Sequence, residues 1–258
     1  MTPDAFRTKY GPWALVAGAS EGLGAAFASE LSRRGLGVIL VARRADALST
    51  VASRMTTPTV TVVADLSTVE GVARAVDAAA ERDVGLVVAN AALSPIGRFV
   101  DQPPDELERA LALNCGAPMR LARHLLPAMV RRGRGGFVVM SSLAGQQGSP
   151  PISLYAATKA FGAILAEGLW AELRGSGVDV VTCVAGAVST PGLANAKAKP
   201  APGTRTPDQV VAAALAGLGH GPRVVPGALM RVSSALMTRV MPRRAAISII
   251  ARASRDLS

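Results

Sequence analysis

Aromatic side chains are scarce in this chain. Five Phe, two Tyr and two Trp are spread over 258 residues, too few to build the stacking platforms on which single-stranded nucleic acid rests. The net charge of +10 is dispersed, with no run of five like charges, so no basic nucleic-acid arm is expected. Histidine is rarer still: His124 and His220 are the only two. They cannot make a multi-histidine metal centre, and neither lies in a motif that would join a nucleophile and an acid in a hydrolase triad. No metal is expected. Cys115 and Cys183 lie far apart in apolar surroundings, the pattern of buried free thiols in a reducing compartment. The opening MTPDAFRTKYGPW lacks the apolar stretch of a secretory signal. No apolar run reaches the ~18 residues that suggest a spanning helix. A cytoplasmic location follows as an expectation.

What is present is apolar bulk. Half of the residues are apolar and 18% are charged, which suits a large core and argues against disorder. Apolar runs alternate with helical patterns. Strands are predicted at 13–18, 37–42, 59–64 and 84–90, with helices at 22–35, 45–55 and 68–82 between them. Helices follow at 105–115 and 118–132, a fifth strand at 135–142, a long helix at 153–174 and a sixth strand at 178–186. The strands are near-continuous apolar runs, as when helices cover both faces of a sheet. Strand–helix–strand repetition builds a parallel sheet through right-handed crossovers. The predicted fold is α/β: a doubly wound parallel β-sheet with helices on both faces, in one domain over 1–258. Asn195–Pro207, with three prolines and a glycine, is expected to form a mobile loop spanning about 192–207.

Gly18, Gly22 and Gly24 have the spacing G-x-x-x-G-x-G in AGASEGLG, between the first strand and the first helix. Glycines there let the backbone approach a pyrophosphate, while the helix N-terminus offers free N–H groups. A plain turn is the simpler reading, but the place in a strand–helix–strand unit favours a phosphate loop. NAD sites set a carboxylate at the end of the next strand. Here Arg43 and Arg44 follow Ala42. Two guanidiniums suit a 2′-phosphate, and a basic pair is a poor start for an ordinary helix. NADP(H) is therefore expected over NAD(H). Glu21 counts against that preference, because a carboxylate near the phosphate repels it.

SLYAATKAFG, residues 153–162, carries Tyr155 and Lys159, one of two tyrosines and one of four lysines. Four residues apart, they share a helix face. A free phenol has a pKa of about 10, and a nearby ammonium lowers it by favouring the phenolate. Such a pair can give a proton to a carbonyl oxygen or take one from an alcohol.

Together these motifs resemble the short-chain dehydrogenase/reductase family, in the family's order, from about Gly11 to Pro191. AGASEGLG is similar to its Thr-Gly-x-x-x-Gly-x-Gly loop, with Ala17 for Thr. ANAA, at 89–92, is similar to its Asn-Asn-Ala-Gly segment, with Ala89 and Ala92 substituted. AGAVSTP, at 185–191, resembles its Pro-Gly-x-Val-x-Thr segment, with Ala185 for Pro. Ser142 stands 13 residues before Tyr155, the family's spacing. The substitutions spare the four catalytic positions that the resemblance implies: Asn114, Ser142, Tyr155 and Lys159.

By the same resemblance, Ser20, Glu21, Leu23 and the three loop glycines surround the pyrophosphate, and Asp65 and Leu66 flank the adenine. Asn90 and Ala91 follow the fourth strand. Gly186, Val188 and Thr190 lie by the nicotinamide, with the Val188 backbone on its carboxamide. Lys159 holds the nicotinamide ribose, Asn114 supports a relay water, and Ser142 hydrogen-bonds the reacting oxygen with Tyr155.

The resemblance implies NADPH-dependent interconversion of a ketone or aldehyde and an alcohol on a lipophilic substrate. A 3-ketoacyl reductase is one alternative, its positive surface receiving acyl carrier protein or CoA. A non-catalytic NADP-binding regulator or scaffold is another, opposed by the complete catalytic set. The resemblance also implies a homodimer or homotetramer joined through the long helices.

The C-terminus departs from the usual family ending. A short strand at 223–225 leads into a helical extension over about 226–258. Apolar residues at 229, 230, 232, 236, 237, 240 and 241 form one wide helix face. Pro242 interrupts it, and a second helix spans 245–253. Three readings stand open: a cover for the core, a roof over a lipophilic pocket using Met230, Met237 and Met241, or a basic amphipathic contact with anionic membrane.

Overall fold

A computed structural model describes residues 1–190 and 203–253. Most of the expected loop and the last five residues lie outside these. In chain order the elements are α1 (Pro3–Tyr10), β1 (Trp13–Ala17), α2 (Gly22–Arg33), β2 (Gly37–Ala42), α3 (Ala45–Ala52) and β3 (Thr59–Val63). Then come α4 (Val69–Ala80), β4 (Val84–Ala89), α5 (Pro104–Leu111), α6 (Ala117–Arg132), β5 (Gly135–Ser142), α7 (Ser153–Glu172) and β6 (Val178–Ala185). The described chain ends with α8 (Pro207–Gly217), β7 (Arg223–Val224), α9 (Ala228–Ala235) and α10 (Arg243–Ala253).

All seven strands are parallel, in the order β3-β2-β1-β4-β5-β6-β7. Strand side chains alternate between two cores. Val16, Leu40, Val138 and Cys183 pack with Phe27 and Leu31 of α2 and Val210 of α8. Leu15, Ile39, Val87 and Val139 pack with Val72 of α4 and Leu121 of α6. The sheet is thus covered on both faces, as the unbroken apolar runs predict. Strand order reverses between β1 and β4, which opens a crevice above their C-terminal ends.

Two helices were not anticipated. In α1 the Thr2 hydroxyl caps the Ala5 N–H at 3.3 Å. Its Tyr10 is fully buried and donates to Asp179 at 2.6 Å. That partner is 169 residues away, so no local pattern could announce it. Helix α8 starts at the last residue of the expected loop, Pro207, and fills a stretch for which no element was predicted; Thr206 with Gln209 forms a capping box. The box is legible in the sequence but is hidden by the prolines before it.

The wide C-terminal face also divides. Leu229, Val232, Leu236 and Val240 are exposed, whereas Met230 and Met237 are half-buried. A π turn, Leu236–Val240, extends α9. Among the described residues no helix is long and apolar enough to cross a membrane.

Candidate active site

The glycine loop bridges β1 and α2 at the point where the strand order reverses. Gly18 has φ +77°, and a Cβ on it would meet the Ala91 backbone at 2.8 Å. A side chain at Gly24 would collide with the Gly18 carbonyl and with Asn90. Asn90 in turn donates to the Gly18 carbonyl at 3.2 Å, tying the loop to the end of β4. Glu21, at the helix N-cap, makes no side-chain capping bond. The first N–H groups of α2 are therefore left for an anion. Beyond the loop, Thr190 approaches Gly22 so closely that a Cβ there would lie 3.2 Å from its methyl carbon.

Two adjoining cavities sit above the sheet. The first is lined by Gly18, Ser20, Glu21, Arg43, Arg44, Asp65, Leu66, Asn90 and Ala91. The second is lined by Leu23, Asn90, Ser142, Tyr155, Lys159, Gly186, Val188 and Thr190. Asn90 and Ala92 border both. Together they have the extent of a groove for a dinucleotide with a reacting group at one end. Gly22 and Gly24 act from beneath by making room for backbone and neighbours. Asn114 lines a small void shared with Lys159 and Thr158.

In the first cavity Arg44 donates to the Glu21 carboxylate at 2.7 Å. The guanidinium expected to meet a 2′-phosphate is held over the loop by the very carboxylate that counts against the phosphate. Arg43 is exposed and has no side-chain partner among the described residues. The Asp65 carboxylate accepts from the Ser67 N–H and hydroxyl and from Arg109 at 2.8 Å. Burial raises its pKa, but these donors outweigh burial and hold it below the usual carboxylate value. Arg109 was not anticipated, because it reaches Asp65 from α5, 44 residues away.

In the second cavity Ser142 ends β5, and Tyr155 and Lys159 lie on the first turns of α7. Ser141 Oγ donates to the Lys159 carbonyl at 2.8 Å, fixing α7 against β5. Asn114 sits in a π turn between α5 and α6. Its amide bonds both the N–H and the carbonyl of Leu93, at 2.8 Å each, and donates to Thr158 at 2.9 Å. The π turn thus aims one side chain at both the segment after β4 and α7.

The electrostatics correct one expectation. The Tyr155 phenol is raised on balance, not depressed. Burial pushes that phenol up, and its hydrogen bond with Ser142 only partly opposes the rise. The Lys159 Nζ donates instead to the Met140 carbonyl at 2.9 Å and lies 5.5 Å from the centre of the Tyr155 ring. Burial also lowers Lys159 to about 8, with nearby Cys115 acting in the opposite direction. Neither effect follows from an i,i+4 spacing, because both depend on what surrounds the pair.

Sequence reasoning also missed Ser94, Ile96, Met140 and Ile152 in the wall of the second cavity. Ile96 and Ile152 are on connecting segments without periodicity, so no pattern marked them. The C-terminal helices pack beside this end. Gln146 donates to Ser234 at 2.7 Å, and Arg243 donates to the Gln146 carbonyl at 2.7 Å. A Cβ on Gly186 would lie 3.2 Å from the Met230 sulfur.

Among the described residues no group of three His, Cys, Asp or Glu side chains could hold a metal ion. A switch-point phosphate loop beside a Ser–Tyr–Lys cluster belongs to the class of nicotinamide-dependent oxidoreductases that act on hydroxyl or carbonyl groups. The sequence model of the short chain dehydrogenase family matches residues 12–201, and the chain belongs to that family.

A 7β-hydroxysteroid dehydrogenase of Clostridium sardiniense is 34% identical over 190 residues, covering 72% of this chain and 73% of the relative. A very-long-chain 3-oxoacyl-CoA reductase of Anas platyrhynchos is 32% identical over 218 residues, covering 81% and 69%. Among solved structures, one described as giving insight into 7β-hydroxysteroid dehydrogenase stereoselectivity superposes with a TM-score of 0.90 at 27% identity. It covers 95% of this chain and 98% of the other. A short-chain dehydrogenase from Sphingobium yanoikuyae in complex with NADPH has a TM-score of 0.77 at 32% identity, covering 89% and 96%.

Proposed function

We propose that this protein is an NADPH-dependent reductase of a lipophilic ketone, working reversibly as an alcohol dehydrogenase. The observation that carries this reading is the convergence of Ser142, Tyr155 and Lys159 on one cavity, joined to a second that presents Arg43 and Arg44.

The glycine cradle fits a dinucleotide, because Gly18 and Gly24 leave no room for side chains between loop and strand. Gly18, Ser20 and the N-terminus of α2 would hold the pyrophosphate. Arg44, released from Glu21, and Arg43 would take the 2′-phosphate. Val188 and Thr190 would flank the nicotinamide, which supplies hydride when bound. Tyr155, kept protonated by burial, gives its proton to the developing alkoxide. Ser142 donates a hydrogen bond to the same oxygen and steadies its charge. Lys159, charged below about 8, stabilises the phenolate that remains. Asn114 clamps the segment after β4 to α7 and supports the proton relay.

A lipophilic substrate is supported by the aliphatic wall of Leu23, Ile96, Met140 and Ile152. The relatives named for a hydroxysteroid and a very-long-chain oxoacyl thioester point the same way. The second of these favours a 3-ketoacyl reductase as the competing reading. We further propose a dimer through α5–α7, where Leu111, Met119, Phe161 and Ile164 are exposed. Two buried free cysteines suit a reducing cytoplasm.

Oxidation of NADPH and of NADH is measured against steroid ketones and 3-oxoacyl-CoA esters of increasing length. Turnover of ketones with a lower KM for NADPH is expected. Equal use of NADH removes the coenzyme assignment. Preference for the thioesters favours the competing reading. Binding of NADPH without turnover of any ketone makes the chain a non-catalytic binder.

A further inference from the structure

The C-terminal helices carry a second surface that faces away from the cleft. Leu229, Val232, Leu236 and Val240 are 55%, 67%, 47% and 72% exposed. Steps of three and four residues set them in one stripe along α9 and its π turn. Met230 and Ser234 of the same helix turn inward, toward Gly186 and Gln146. Ile249 of α10 is also exposed, at 44%. Four large aliphatic side chains so exposed on one helix differ from the single surface apolars of an ordinary protein.

The charge on this surface has one sign. Between Val224 and Ala253 there are five arginines and no acid. Arg231, Arg239, Arg244 and Arg252 are exposed. Their guanidiniums have no ion-pair or hydrogen-bond partner among the described residues. Elsewhere on the fold Arg33, Arg82, Arg109 and Arg223 pair with carboxylates, and this segment holds no carboxylate that could do the same.

We propose that this face docks on an anionic phospholipid bilayer, lying in the interface without crossing it. A second copy of the chain fits poorly. A two-fold contact repeats the same patch on both sides, so unpaired arginines would face unpaired arginines. A soluble acidic partner would match the charge but leave the aliphatic stripe in water. An anionic bilayer meets both needs: headgroups for the guanidiniums and the acyl boundary for the stripe. The proposal does not depend on which ketone is reduced.

The full chain is sedimented with vesicles of phosphatidylcholine alone and with vesicles rich in phosphatidylglycerol, at low and high salt. Binding to the phosphatidylglycerol vesicles is expected at low salt, with little binding to phosphatidylcholine and weaker binding at high salt. Arg231→Gln with Arg239→Gln should weaken binding by about tenfold or more. Val232→Ser with Val240→Ser should weaken it comparably. Thermal melting of each variant checks that it remains folded. All four side chains are on the surface, so melting is expected to change little. Absence of binding to phosphatidylglycerol, or equal binding to both vesicles, overturns the proposal. Binding that survives the valine pair also overturns it, by removing the stripe. Analytical ultracentrifugation without lipid gives a further check. If the valine pair lowers the assembly mass, the face is an interface between copies and the proposal fails.

Discussion

Every residue of β2 and β4 is buried, whereas only Ser234 and Ala246 are buried among the described side chains from Ala228 to Arg252. The two regions meet beside the second cavity, at Gly186 and Gln146, and are held differently. Ser142 and Lys159 hang from the dense part, where the Ser141–Lys159 and Lys159–Met140 hydrogen bonds fix their backbone and side chain. The C-terminal helices rest on a few contacts, among them Gln146–Ser234 and Arg243–Gln146. A dense wall holds reacting groups to the tolerances that proton transfer needs. A thinly held segment with flexible methionines can be reshaped at small cost. The sheet and α7 therefore fix the reacting groups, while the C-terminal helices border them through a few contacts.

The sharpest way to break this comparison is Tyr155→Phe. Turnover of the best ketone should fall by about a thousandfold or more, while the Kd for NADPH, from fluorescence titration, should stay within about twofold. Retained turnover would mean that the proton comes from elsewhere. Lys159→Ala should lower kcat by about a hundredfold and also alter the pH profile. Burial places Lys159 at about 8, so its charge is present below that pH and is lost as pH rises through it. Wild-type reduction should thus decline above about pH 8, and the variant should lack that limb. Arg44→Ala should raise the KM for NADPH by about tenfold, the scale of one charge-assisted contact, and leave that for NADH nearly unchanged. The smallest effect belongs to the C-terminal helices, on the reading that they border the substrate. Met230→Ala should change the KM for a bulky ketone by about threefold and leave kcat on a small ketone unaltered. A large loss of kcat on both ketones would show that Met230 also helps to position the reacting groups.

The sheet was legible because strands covered on both faces leave unbroken apolar runs, and the glycine loop because its spacing follows from backbone clearance. Helix α1 was not legible, since its buried Tyr10 finds Asp179 from the far end of the chain. Helix α8 was marked by its capping box, yet no element was expected after the proline-rich stretch that ends at Pro207. The C-terminal pattern was read as one apolar face, and only packing could divide it into inward methionines and outward aliphatics. Arg109 reaches Asp65, in the wall of the first cavity, through tertiary proximity alone.

Residue identity and spacing determined which groups are available: a phosphate loop, two arginines past the second strand, and a serine, tyrosine and lysine in order. These are local features, written by the periods of helix and strand and by the size of side chains. Tertiary structure decided their state. Burial raised the Tyr155 phenol and lowered Lys159, the Met140 carbonyl took up the Lys159 proton donor, and Glu21 closed on Arg44. Desolvation and hydrogen bonding depend on neighbours brought from distant parts of the chain, so they exist only once the fold has formed.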